Sequence, residues 1–272
     1  MRLKDFFFGL GLKPRTREYP FALKSFALER DGTVAFAQWQ HPGALRWNTT
    51  LTQAAVDEAR RYITAGDAAI DIGAHTGDST LPLALAAGPA GAVFALEPNP
   101  FAYKVLLANT ALNKRTTNIY PLMFAATPSD GDMEFEYSDS GFCNGGRHDG
   151  VSPWKHGHFF KLKVQGRNIS QYLASEFTRE AARLRFVKID TEGFDRSVVA
   201  SMKDLLKRTR PFLRSEIFRH TPEEERIAYY RDLRALGYRV YRFVSDVEYR
   251  GDELSDRDLM RTPHYDIFAV PE

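Results

Sequence analysis

Between Asp67 and Ile217 the sequence repeatedly runs a short apolar block into an acid and follows it with a helix-length segment. Ala68-Ala69-Ile70-Asp71-Ile72 stops at Gly73, and Ala92-Val93-Phe94-Ala95-Leu96 runs into Glu97. Arg185-Phe186-Val187-Lys188-Ile189 runs into Asp190, and Phe212 to Ile217 contains Glu216. Apolar runs this short, bounded by turn residues, read as strands buried on both faces. Helical stretches fall between them at 77–87, 101–112, 195–207 and 222–236. Pro222 at a first turn and Gly237 past a last turn fit helix start and stop signals. Further strands are predicted at 118–124, 239–244 and 265–270. The last two leave no room for a helix rich in apolar spacing between them, so an antiparallel closing strand is expected. Alternating strands and helices specify an α/β chain. The expected architecture is a doubly wound, Rossmann-like, seven-stranded sheet with an antiparallel last strand.

Ahead of this block, Phe21 to Leu28 and Thr33 to Trp39 read as a hairpin turned at Asp31-Gly32, and Thr50 to Tyr62 as a helix. The chain therefore divides into an N-terminal hairpin/helix extension, residues 1–62, packed on a core domain, residues 63–272. The start, Met1-Arg2-Leu3-Lys4 and then Phe6 to Leu12, imitates a short signal peptide. Asp5 interrupts it and no small-residue cleavage site follows. A short docking helix or a frayed apolar end is expected there, with weak membrane-surface contact as the alternative reading. No apolar run approaches the ~18 residues of a membrane span. The single cysteine, Cys143, excludes an intrachain disulfide and a Cys-rich metal site. The formal net charge of +2 gives no bulk electrostatic argument for nucleic acid. A cytoplasmic protein of unspecified oligomeric state, with no nucleic-acid partner, is expected.

In open α/β sheets ligands bind beyond the carboxyl ends of the strands, where Asp71, Glu97, Asp190 and Glu216 are expected to gather. Such acids also cap helices, but four on one edge suggest a shared crevice. The sharpest signal is the turn Asp71-Ile72-Gly73-Ala74-His75-Thr76-Gly77. Its glycines allow a tight turn, and the following helix N-terminus attracts an anion. Glu97 lies 26 positions after Asp71, where an acid accepts hydrogen bonds from a ribose. The turn has one glycine too few for a dinucleotide fingerprint, and no phosphate P-loop is present. An adenosine cofactor with an amino-acid end fits instead, and S-adenosylmethionine matches that description. A nicotinamide-dependent oxidoreductase and a non-catalytic S-adenosylmethionine-binding protein stand as alternatives.

The strings AIDIGAHTGDST, FALEPNP, LLANTALNK and FVKIDTEGFD together resemble the FkbM-type S-adenosylmethionine-dependent methyltransferases. The resemblance runs from about Asp67 to Ile217. It implies O-methylation of a hydroxyl on a sugar or secondary metabolite, the acceptor being a small molecule or glycan. It also implies that Asp71, Gly73, Ala74, His75, Thr76 and Gly77 line the methionine part. Glu97 would hold the ribose, with Pro98 and Asn99 in the same cofactor site, and Ala125 and Ala126 would sit by the adenine. The sequence departs from the family at Asp195, where glutamate is usual, and at His75, where asparagine is common.

Asp190 and Glu192 sit two apart at a strand end, so both would face the crevice, and Glu216 would approach from the next strand. These three are the candidate bases, with Asp190 ranked first and Glu216 second. The polar stretch Ser138 to His158 is long enough to be a lid over the site. His148, Asp149, His156 and His158 fall in it. His156-Gly157-His158 is spaced to chelate metal, but a flexible loop lacks the rigid element a metal site needs, so no metal is expected.

Overall fold

The apolar runs become the strands of one seven-stranded sheet in the computed structural model, which describes residues 12, 14–46, 49–143, 145–146 and 160–272. The chain enters through β1 (Phe21–Leu28) and β2 (Gly32–Trp39), then α1 (Pro42–Arg46) and α2 (Gln53–Arg60). The central units follow as β3 (Ala68–Ile72), α3 (Thr80–Ala87), β4 (Ala92–Leu96), α4 (Pro100–Leu112) and β5 (Ile119–Leu122). An inserted sheet is built from β6 (Ala125–Ala126), β7 (Gly131–Tyr137), β8 (Gly145–Gly146) and β9 (Phe160–Arg167). Then come α5 (Ile169–Glu176), α6 (Thr178–Ala181), β10 (Leu184–Ile189), α7 (Asp195–Ser201) and α8 (Lys203–Thr209). The chain closes with β11 (Phe212–Ile217), α9 (Glu223–Ala235), β12 (Tyr238–Arg242) and β13 (Tyr265–Pro271).

The main sheet runs β12-β13-β11-β10-β3-β4-β5, and β13 is antiparallel to both of its neighbours. The expected closing strand is thus inserted between β11 and β12. Every residue of β3 and β4 is buried, because helices cover both faces. Ile70, Phe94 and Val187 pack on one face with Leu206 and Tyr238, while Ala69, Val93 and Phe186 pack on the other with Leu83 and Ala87. Strand order reverses between β3 and β10, which opens a crevice at their carboxyl ends.

The hairpin forms with a three-residue loop, Leu28 pairing with Gly32, and Gly32 takes a positive φ of 72°. The turn thus lies one residue earlier than the Asp31-Gly32 pair suggests. Asp31 accepts two hydrogen bonds from Arg60 and one from Gln53, fixing the loop to α2. Leu28, Val34 and Phe36 share a core with Val56, Leu81 and Leu85. On the far edge of β2, Asn113 exchanges hydrogen bonds with the backbone of Ala35, and Asn109 does so with Ala37.

The expected helix at 50–62 is trimmed to α2, whose Thr52 hydroxyl accepts from the amide of Ala55. The expected helix at 195–207 breaks at the fully buried Met202 into α7 and α8. The strand expected at 118–124 stops at Leu122, and Ala125–Ala126 joins the inserted sheet as β6. The docking helix expected at the N-terminus falls on residues 1–12, of which only Leu12 is described. Among the described residues, no helix is long and apolar enough to cross a membrane.

Candidate functional site

A charge row of Asp71, Lys188 and Asp190 runs along the β3–β10 crevice, buried at Asp71 and Lys188 and open at Asp190. Lys188 of β10 lies in register with Asp71 of β3. Its ammonium is 3.2 Å from Asp71 Oδ1, 3.4 Å from Asp190 Oδ2 and 3.4 Å from the carbonyl oxygen of Gly73. The other Asp71 oxygen accepts from the hydroxyls of Ser79 (2.8 Å) and Thr80 (2.7 Å). Asp71 and Asp190 together hold the Lys188 ammonium charged, well above its ordinary pKa, against the opposing effect of burial. Behind this row Gly73 meets the end of β10. A Cβ there would lie 2.1 Å from the carbonyl oxygen of Asp190, and φ is 78°, so only glycine fits.

Glu97, at the end of β4, is buried. One carboxylate oxygen accepts from the amide of His75 (2.9 Å) and the other from the amide of Asn99 (2.8 Å). Burial pushes its pKa up to about 7 despite those two bonds. Each oxygen keeps a lone pair for a ligand hydroxyl. The Asn99 side chain donates to the carbonyl of Phe142 at the start of the long polar stretch. The His75 ring lies 5.5 Å from that of Trp39, and its backbone is left-handed, with φ of 49°. Asn109 donates to the carbonyl of Thr76 (2.7 Å) while also holding Ala37. The turn after β3 is thereby braced by the N-terminal extension.

The opposite wall is acidic. Burial and the neighbouring Asp190 push the Glu192 carboxyl up to about 7. Burial also raises Asp195 to about 6, although it accepts from Thr191, from the Ser215 hydroxyl and from the amide of Glu216. Glu216 is pushed up to about 9 by burial and by Asp190, Glu192, Asp195 and Asp266. Its Oε1 lies 3.4 Å from His264 Nε2.

A cleft of about 690 Å³, within the range of small-molecule sites, joins the two walls. Gly73, His75, Glu97, Pro98, Asn99, Ala125 and Ala126 line it together with Asp190, Glu192 and Glu216. Asp71, Ala74, Thr76 and Gly77 are not among the lining residues; Asp71 is fully buried and acts on the cleft through Lys188. Asp190 caps no helix: it pairs with Lys188, and Asp195 holds the loop ahead of α7. The residues fit an adenosine with an amino-acid tail, since small alanines, a fixed carboxylate and a backbone approach at Gly73 border one cavity. Pyrophosphate is poorly served. Of the three lining cations, Lys188 is held by Asp71 and Asp190, Arg214 by Asp246 and Asp266, and Arg219 bears on Glu192.

Sequence reasoning missed Lys188 as a charge partner, and also the strand β7, which brings Met133, Phe135 and Tyr137 to the cleft. An apolar–acid alternation through Asp132-Met133-Glu134-Phe135-Glu136-Tyr137 carries that signal in the sequence. The stretch expected as a lid is described at its root, where His41 Nε2 lies 2.9 Å from Asp139 Oδ1 and Arg17 donates to the carbonyl of Ser140. His148, Asp149, His156 and His158 lie outside the described residues. Among the described residues, no group of three or more His, Cys, Asp or Glu side chains could hold a metal ion.

The Methyltransferase FkbM domain family matches residues 71–242. No curated protein matches the chain. Among solved structures, the chain is similar to a methyltransferase FkbM from Methylobacillus flagellatus KT, at 14% identity and a TM-score of 0.41, over 77% of this chain. The match spans only 44% of the length of that protein. A SAM-dependent O-methyltransferase from Thermotoga maritima is similar at 14% identity and a TM-score of 0.43, over 91% of this chain and 77% of that one. The fibrillarin pre-rRNA processing protein of Methanococcus jannaschii is similar at 13% identity and a TM-score of 0.45, over 92% and 82%. The chain belongs to the FkbM-type S-adenosylmethionine-dependent methyltransferases.

Proposed function

We propose that this methyltransferase transfers the methyl group to a hydroxyl oxygen of a small molecule or glycan, such as a sugar or secondary metabolite. The observation that carries the reading is that one cleft is lined both by Gly73, Glu97 and Ala126 and by Asp190, Glu192 and Glu216. S-adenosylmethionine supplies an activated sulfonium methyl when bound. Glu97 would accept from the ribose hydroxyls, Ala125 and Ala126 would flank the adenine, and Gly73 would offer its backbone to the methionine part. The row Asp71, Lys188 and Asp190 carries two negative charges and one positive, which favours the cofactor's ammonium and sulfonium. The N-terminal extension, residues 1–62, would support this wall through Asn109 and Trp39.

Three acids compete for the role of base. Asp190 is engaged by the Lys188 ammonium, 3.4 Å away. Glu216, pushed up to about 9, is protonated at neutral pH and accepts no proton there. Glu192, pushed up to about 7, has the basicity suited to neutral pH, and we assign it the proton of the attacking hydroxyl. It need act only as the oxygen attacks. Alignment of the acceptor contributes more, on the order of 7–11 kcal/mol, against ~10²–10⁴ in rate for the base. The acid lining supports a small acceptor over a nucleic acid. A cytoplasmic location accords with the lone cysteine.

The test is calorimetric titration with S-adenosylhomocysteine, followed by methyl transfer from labelled S-adenosylmethionine to a panel of hydroxylated acceptors. Binding with transfer to oxygen supports the reading. Binding without transfer to any acceptor favours a non-catalytic cofactor-binding protein, and transfer to nitrogen or carbon overturns O-methylation.

A further inference from the structure

The chain as a whole is nearly charge-balanced, with 37 Lys and Arg against 35 Asp and Glu. Its clefts are not. The cofactor cleft meets a second one of about 750 Å³, and Met133 and Phe194 line both. The charged residues lining the second cleft are Asp130, Asp132, Glu134 and Glu136; no described lysine or arginine lines it. Lys161 offsets part of this from the neighbouring strand, 2.5 Å from Glu134 and 3.9 Å from Glu136.

Within the cofactor cleft, Glu216 stands with Asp190 and Glu192. Its side chain is 8% exposed and lines the cofactor cleft. Its Oε2 is buried and has no hydrogen-bond partner among the described residues. Oε1 has only His264, at 3.4 Å. Of the strong cations lining the same cleft, Lys188 is held by Asp71 and Asp190, Arg214 by Asp246 and Asp266, and Arg219 bears on Glu192. An unpaired buried carboxyl is costly unless a ligand completes it.

We propose that the hydroxyl acceptor carries a protonated amine, as an amino sugar or an aminated secondary metabolite does, and that Glu216 receives this ammonium. The inference rests on the O-methyltransferase reading and narrows its substrate class. The acidic second cleft draws a cation inward. On contact, the ammonium favours the ionised form of Glu216, so a buried ion pair forms and Oε2 gains its missing partner. Glu216 then fixes the acceptor's orientation while Glu192 faces the reacting hydroxyl.

The experiment pairs each of several amino-sugar and aminocyclitol alcohols with its N-acetyl derivative, using labelled S-adenosylmethionine. N-acetylation removes the charge and leaves the hydroxyls. At least tenfold higher kcat/KM is expected for the amine of a pair. Glu216→Gln should bring that ratio near one, chiefly through KM, without lowering the melting temperature or the S-adenosylhomocysteine affinity. Equal kcat/KM within pairs, or a ratio unchanged in Glu216→Gln, overturns the inference while leaving O-methylation standing. If no panel member is methylated, binding of the same pairs to protein loaded with S-adenosylhomocysteine decides. Preference for the amine supports the Glu216 assignment, and no preference overturns it. Absence of S-adenosylhomocysteine binding would instead overturn the methyltransferase reading.

Discussion

Lys188→Met tests the charge row most directly. The wild-type ammonium and Asp71 Oδ1 are 3.2 Å apart. At an effective dielectric of about 20, that separation corresponds to an attraction of about 5 kcal/mol, much of it offset by the desolvation of both groups. Removing only the cation leaves Asp71, fully buried, as an uncompensated charge. Breaking a buried pair in this way costs about 3–5 kcal/mol. The Ser79 and Thr80 hydroxyls still serve one oxygen, so the lower end is expected, about 3 kcal/mol. Asp71→Asn alone should also destabilise, because it leaves the buried lysine with Asp190 as its one remaining carboxylate partner. The double variant replaces the ion pair by neutral groups of similar shape and should recover to within about 1 kcal/mol of wild type. Urea unfolding of all four proteins at pH 7 closes the cycle, with an expected coupling of about 2 kcal/mol or more. The folded-state pKa of Lys188 is raised. Its contribution is therefore fully present below the unfolded lysine value and is lost only as pH rises through the raised folded value. The Lys188→Met deficit should accordingly be the same at pH 7 and pH 9. A single-variant loss under about 1 kcal/mol with additive effects would refute the charge-row argument.

Glu97→Ala should weaken S-adenosylhomocysteine binding by about 1–3 kcal/mol, measured by calorimetry, while NAD stays unbound. Wild-type kcat/KM should rise with pH through about 7 as Glu192 ionises, and Glu192→Gln should lose ~10²–10⁴ in turnover with that limb flattened. Little change in either would remove Glu192 as the base. Glu97, Asp195 and Glu216 have folded pKa values raised to about 7, 6 and 9, so the folded state holds more protons than the unfolded one above the ordinary carboxylate range. Cofactor-free protein should therefore lose stability as pH rises from about 5 to about 9, by up to about 1.4 kcal/mol per unit for each group. Glu216→Gln should flatten the upper part of that fall and raise stability at pH 7; chemical unfolding across this range would show otherwise if stability rose with pH.

The main sheet was legible because β3, β4 and β10 are almost wholly buried and so read as short, mostly apolar runs closed by glycine or an acid. The reversed β13 followed from the spacing between the last two strands. The inserted sheet carried a weaker signal. Residues 131–137 and 160–167 are strands whose apolar side chains alternate with charge, and they pair across a long intervening stretch, as in Glu134 opposite Lys163. Short-range patterns give the alternation but not the partner. For the site, chain position identified which acids gather at the strand ends, but not which one turns inward. Asp71 stands one residue inside its strand and faces the register-matched Lys188, whereas Asp190 follows the end of β10 and stays exposed. That difference depends on the pairing of β3 with β10, which no local pattern contains.

Asn109 in the last turn of α4 and Asn113 at its C-cap make a ruler between unlike lattices. Four residues along a helix advance about 6.0 Å, and two residues along an antiparallel strand about 6.8 Å. Asn109 and Asn113 are four apart, and Ala37 and Ala35 are two apart, so each amide meets one outward-facing peptide of β2. The mismatch of about 0.8 Å per rung is small over two rungs and would double by the next, which sets a natural limit to such a ladder. A hairpin sliding by one residue would present inward-facing peptides to both amides at once and lose every one of these bonds. The helix thereby measures the hairpin, and it occupies the strand edge on which another chain could otherwise have grown a sheet.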